Sequence, residues 1–177
     1  LHLTEANVPK LPKLAEGFAR DVSTYQQQAC ASPKWMLWYQ TDKALQQQFW
    51  QAVDTCLMNA FPRNERLVAS QYLCALGGTE CHHGNFQVVE ASSILGCDQS
   101  LFGVVGQTCI DEINSCSDLL PENVQSLACF GLTKEQKALI VGYCQIRQFS
   151  PLGQALSFDP IWDGANLFLT LARQVRL

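Results

Sequence analysis

Nine cysteines are scattered through a chain of 177 residues, at Cys30, Cys56, Cys74, Cys81, Cys97, Cys109, Cys116, Cys129 and Cys144. No two stand closer than seven positions, so no CxxC pair occurs. Zinc sites and dithiol redox centres both rely on close pairs, because ligands on one turn grip one ion or exchange one bond. Dispersed cysteines fit long-range disulfides formed in an oxidising compartment. A disulfide requires Cα atoms within about 7 Å, so each such segment must meet another. Cys109 and Cys116, if they share one helix, are about 10.5 Å apart by helical rise and must bond different partners. An odd count leaves one thiol over, either buried or joined to a second molecule. Cys30, beside an expected helix end, suits such a homodimer link.

The expected location is secreted and extracellular. The sequence starts Leu-His-Leu-Thr without Met, as a processed secreted chain would. No apolar run approaches the roughly eighteen residues that a transmembrane helix needs. Charged residues make up only 16%, against about 25% in ordinary domains. From Leu67 to Thr133 there is no Lys or Arg but seven acids. That distribution argues against nucleic acid as a partner, since phosphate contacts need clustered basic residues.

Periodicity predicts a single all-α domain over 1–177, with 1–12 as an extended lead-in and seven to nine short helices stapled by disulfides. Leu14, Phe18, Val22 and Tyr25 form one stripe. Ser32-Pro33 starts a short helix over 33–40, and Thr41-Asp42 starts one that Pro62 stops. Further helices are expected from Asn64 to Gly77, Asn85 to Leu95, Ser100 to Cys116 and over the ten residues before Gly131. Thr133-Lys134-Glu135-Gln136 has the form of a capping box. Asp163 caps a last helix carrying Leu167, Phe168, Leu171 and Val175. Residues 79–85 read as a connector. Period-two alternation is scarce, and β-branched residues occur in pairs such as Val88-Val89 and Val104-Val105.

Chemistry is sparse. There is no G-x-S-x-G, no calcium loop and no G-x-G-x-x-G. His82 and His83 within "ECHHGN" are weak metal candidates, because consecutive side chains diverge and no second His-rich segment exists. No metal or cofactor is therefore expected, and no enzyme. The aromatic group Trp35, Trp38, Tyr39, Phe49 and Trp50 is left. In a helix over 33–40 these side chains would point to several sides, and one buried stripe could not hide them. The expectation is a ligand-binding group: a secreted helical protein holding a lipid or other apolar small molecule between its helices. The alternatives are an extracellular assembly protein joined by neutral surfaces and an intermolecular disulfide, or a secreted signalling or defence factor that binds a receptor.

Overall fold

A computed structural model describes residues 1–96, 101–124, 126–157, 160–162 and 165–171. The architecture is α/β, not all-α. Helices α1 (Leu11–Ser23), α2 (Lys43–Cys56) and α3 (Arg63–Ala75) surround a sheet of β1 (Trp35–Tyr39), β2 (Thr79–His83), β3 (Gln87–Glu90) and β4 (Val104–Ile110). The sheet order is β1-β4-β3-β2, with β1, β4 and β3 parallel and β2 antiparallel at the edge. Then come α4 (Cys116–Leu119), a parallel pair β5 (Ser126–Cys129) and β6 (Gln148–Pro151), and α5 (Lys134–Tyr143). A small hairpin of β7 (Ile161–Trp162) and β8 (Ala165–Asn166) precedes α6 (Leu167–Leu171).

Four expected helices are therefore corrected. The segments 33–40, 85–95, 100–116 and the run before Gly131 contain strands β1, β3, β4 and β5. The connector 79–85 contains β2. For β3 and β4 the cause is burial on both faces. Central parallel strands carry apolar residues in continuous runs, so the period-two signal disappears. Val88, Val89, Val104 and Val105 are fully buried, and adjacent residues serve opposite layers. The capping box is as expected: Gln136 N donates to Thr133 Oγ1 (3.2 Å) and Thr133 N donates to Gln136 Oε1 (2.9 Å). Asp163 and Val175 lie outside the described residues.

One layer is formed by α1 and α2 against Met36, Trp38, Val88 and Val105. Within it Phe18, Trp38, Phe49 and Trp50 meet edge to face at centroid distances of 5.1–5.7 Å. On the opposite face, α3 brings Ala69 and Leu73 onto Val89, Leu101 and Val104. Further along the same face, Leu37, Tyr39 and Ile110 pack with Ile113, Cys116 and Ile140. Gly106 lies in β4 where a Cβ would collide with the Trp35 indole, so glycine is what lets that ring lie on the strand. Residues 1–3 run along the free edge of β1: Leu1 N donates to Leu37 O (2.6 Å) and Tyr39 N to Leu1 O (2.8 Å).

The layers are tied through one amide. Buried Gln107 accepts from the indole N–H groups of Trp38 (2.9 Å) and Trp50 (2.7 Å). Its Nε2 donates to Glu90 Oε2 (2.9 Å) and lies 3.3 Å from Cys81 Sγ. Gln107→Leu keeps the size and strands both indole donors. It should cost about 2–5 kcal/mol, since each buried unpaired donor costs about 1–3 kcal/mol. Urea unfolding measures this, and a loss below about 1 kcal/mol would mean that the indoles find other acceptors.

Candidate active site

Where α1 ends, the chain enters an unusual backbone. Thr24 Oγ1 donates back to Arg20 O (2.6 Å). Tyr25, Gln26 and Gln27 then take φ values of 55°, 54° and 63°. Left-handed conformations in non-glycine residues cost about 1–3 kcal/mol each and persist only where the surroundings over-determine them. Here a buried side chain does so. Gln27 Nε2 donates to Pro33 O (2.9 Å) and Val104 O (3.0 Å), while Gly103 N donates to Gln27 Oε1 (2.7 Å). Both amide hydrogens and the amide oxygen are thus engaged by main chain.

The clamp closes the loop that carries Cys30. Gln28 N donates to Tyr25 O (3.1 Å) and Ser32 N to Ala29 O (3.0 Å), so Cys30 sits in a short turn with its thiol exposed. Gly106 N donates to Lys34 O (3.0 Å), which leads the loop into β1. The loop therefore lies at the amino-terminal edge of the parallel strands, beside the Phe102-Gly103 entrance to β4. Phe102 and Gly103 are also left-handed, with φ of 46° and 88°. A Cβ on Gly103 would strike the Phe61 ring. Ser32 Oγ, two residues from Cys30, is buried with no hydrogen-bond partner among the described residues.

The other cysteines sit differently. The eight described ones are all free thiols, which overturns the disulfide-stapled expectation; Cys97 lies outside the described residues. Burial, and then the Glu90 carboxylate, pushes the Cys81 thiol up to about 11. Burial also raises Cys56, with Glu16 adding to it, as well as Cys116 and Cys144. Cys109 lies 3.4 Å from Gln46 Nε2. Cys74 is on α3 and Cys129 on β5.

The expected ligand group does not converge on a cavity. Trp38, Phe49 and Trp50 are core residues. Trp35 faces the other way and donates to Thr108 Oγ1 (2.9 Å), while Tyr39 meets the His2 ring at 5.3 Å. His82 and His83 lie on β2 and reach separate acids: His82 Nε2 is 3.4 Å from Asp54 Oδ1, and His83 Nε2 is 3.6 Å from Glu80 Oε2. No metal-binding group of three or more His, Cys, Asp or Glu exists among the described residues.

An open depression of about 720 Å³ lies at the opposite, carboxyl edge of the sheet, lined by Thr79, Cys81, Glu90, Ser92, Thr108 and Cys109 among others. Its acid is already paired, with Lys43 Nζ 2.8 Å from Glu90 Oε1.

Comparisons with known proteins agree with this fold. The acyl-CoA reductase (LuxC) family model matches residues 4–72. An NAD-dependent aldehyde dehydrogenase from Sinorhizobium meliloti superimposes with a TM-score of 0.62 at 11% identity, covering 86% of this chain and 36% of that one. An aldehyde dehydrogenase from Physcomitrella patens in complex with the reaction product succinate gives 0.62 at 11% identity, over 91% and 39%. The P. syringae indole-3-acetaldehyde dehydrogenase, as a cysteine-to-alanine mutant in complex with NAD+ and IAA, gives 0.59 at 11% identity, over 88% and 38%. The chain thus spans under two-fifths of these structures. No curated protein matches it. The fold is that of part of an aldehyde dehydrogenase. Together with the family match, it overturns the expectation of a non-enzymatic helical protein binding apolar ligands, and the two alternatives to it.

The Lys43–Glu90 pair supplies a pH test. The Lys43 hydrogen bond holds the Glu90 carboxyl below its usual range, against burial. A lowered carboxylate stabilises the fold above its unfolded pKa, and that stabilisation is lost as pH falls through the folded value. Both side chains are substantially exposed, so the term should be about 0.2–1 kcal/mol. Urea midpoints at about pH 7 and about pH 3 should therefore show a smaller acid-induced loss for Glu90→Gln than for the wild type. Equal losses would remove Glu90 as a contributor.

Proposed function

We propose that this chain carries the acyl-accepting thiol of an enzyme acting on acyl-CoA, and that Cys30 is that thiol. One observation carries the reading: an exposed cysteine stands on a strained, internally clamped loop inside the segment that matches the acyl-CoA reductase family. Only Cys30 and Cys56 fall within residues 4–72. Cys56 closes α2 and its thiol is raised by burial and by Glu16, which lowers its thiolate fraction. Strain of this kind is typical of sites that must present a group in one geometry. A cysteine is also the residue replaced in the P. syringae dehydrogenase complex.

The chemistry is acyl transfer between sulfurs. The Cys30 thiolate adds to the thioester carbonyl of acyl-CoA. The tetrahedral adduct expels the CoA thiolate, and the acyl group stays on Cys30 as a new thioester. The proton lost by Cys30 ends on the released CoA. One carbon–sulfur bond forms and one breaks, with no change of oxidation state. Cysteine suits this role because a thiolate is intrinsically a strong nucleophile near neutral pH.

Reduction of the bound acyl group would need a hydride donor such as a nicotinamide dinucleotide. The described residues do not fit one. The turn from β1 into α2 is Gln40-Thr41-Asp42, without glycine, and Asp42 at the helix start would repel a phosphate. Gly103 and Gly106 are occupied by contacts to Phe61 and Trp35. The proposal for this segment is therefore confined to the acyl-transfer step.

The test uses tritiated octanoyl-CoA, acid quench and peptide mapping. Hydroxylamine-labile label is expected on the Cys30 peptide, absent in Cys30→Ala and unchanged in Cys56→Ala. Label on another cysteine, on none, or surviving Cys30→Ala would overturn the reading.

A further inference from the structure

Gln27 is a buried amide on a strained loop, three residues before an exposed cysteine, with both its N–H donors and its oxygen bonded to main chain. Core packing alone does not call for an amide here; Leu or Met would fill the volume without a polar group to satisfy. Its three partners belong to two different segments. Pro33 closes the Cys30 loop, while Gly103 and Val104 open β4. The amide thus joins the thiol's loop to a second left-handed corner at Phe102-Gly103. We infer that Gln27 is the positioning residue for Cys30, holding the thiol loop in register with the amino end of β4. This inference rests on the reading of Cys30 as the acyl acceptor.

The Gln27 hydrogen bonds hold three consecutive left-handed residues in place. Tyr25, Gln26 and Gln27 have no glycine to ease the conformation, so release of the clamp would let them relax. Tyr25 is 74% exposed and contributes no packing that could hold the loop in place of Gln27. Relaxation would move Cys30 without unfolding the sheet, because the core clusters draw on other residues. Misplacement of a reacting group by about 1 Å costs on the order of a hundredfold in rate.

The test compares wild type, Gln27→Met and Gln27→Glu at a temperature where all three are folded. Met keeps the size and loses every bond. Glu can still accept from Gly103 N but sets a carboxylate against the Pro33 and Val104 carbonyls. At saturating octanoyl-CoA, acylation of Cys30 is expected to slow about ten- to hundredfold in both variants. Alkylation of Cys30 by iodoacetamide, which makes little demand on orientation, should change less than about threefold, with its pH profile retained. Amide exchange at Gly103 and Ser32 should speed up in both variants.

Wild-type acylation rates in the variants, or unaltered exchange at Gly103, would overturn the positioning role while leaving Cys30 as acceptor. A parallel fall in alkylation and acylation would also overturn it, since that marks general damage to the loop. If wild-type Cys30 takes up no octanoyl group, the acyl-acceptor reading fails and the positioning role falls with it, whatever the exchange data show.

Discussion

Two tryptophans share one buried carbonyl oxygen, and much of the layering depends on that arrangement. Trp38 belongs to β1, Trp50 to α2 and Gln107 to β4. An indole has one donor and no acceptor, so burying two of them demands a polar atom in the core. Gln107 supplies it, and its own amide hydrogens are taken up by Glu90 on β3 and by the Cys81 sulfur on β2. One side chain therefore links α2 with all four strands of the main sheet. The Phe18, Phe49 and Phe86 rings surround the two indoles and exclude water from those bonds.

This arrangement leaves the two edges of the parallel strands to different kinds of chemistry. At the carboxyl edge the polar groups are mutually satisfied: Glu90 is held by Lys43 and Gln107, and Thr108 donates to Ala91 O (2.8 Å). At the amino edge the backbone itself is strained, and a side-chain hydroxyl at Ser32 stays buried without a partner among the described residues. Strain and an unsatisfied polar group within a few residues of one another mark a place where local stability has been given up. The exposed thiol of Cys30 stands there.

The sequence was partly legible. Stripes at helical spacing located α1, α2 and α3, and the Thr133–Gln136 box marked the start of α5. The sheet was not legible as a sheet. Trp35 to Tyr39 looked too apolar for one helical stripe, which was correct, but the answer was alternation between one buried and one half-buried face. The site was visible only as a residue type. Cys30 was read only as a cysteine beside a helix end, suited to a link between two chains, whereas the signal that separates it is the left-handed backbone before it. Tyr25-Gln26-Gln27 carries no glycine, so no sequence rule points to positive φ there. The role of Gln27 depends on Val104 and Gly103, more than seventy positions away.

The cysteines show why composition alone misled. A high count of dispersed cysteines fits disulfides only if the thiols bond, and here the eight described thiols are all free. As free thiols they divide by environment. Cys56, Cys81, Cys116 and Cys144 have burial opposing ionisation, and Cys81 has the Glu90 carboxylate opposing it as well. Of these only Cys116 is buried as a whole residue, and it behaves as a small apolar side chain. Reactivity needs access to solvent without that opposition to ionisation, and a backbone that fixes the sulfur. Cys30 has the access, and the fixing comes from a neutral amide. Gln27 brings no charge to the thiol, so its effect falls on where the sulfur stands.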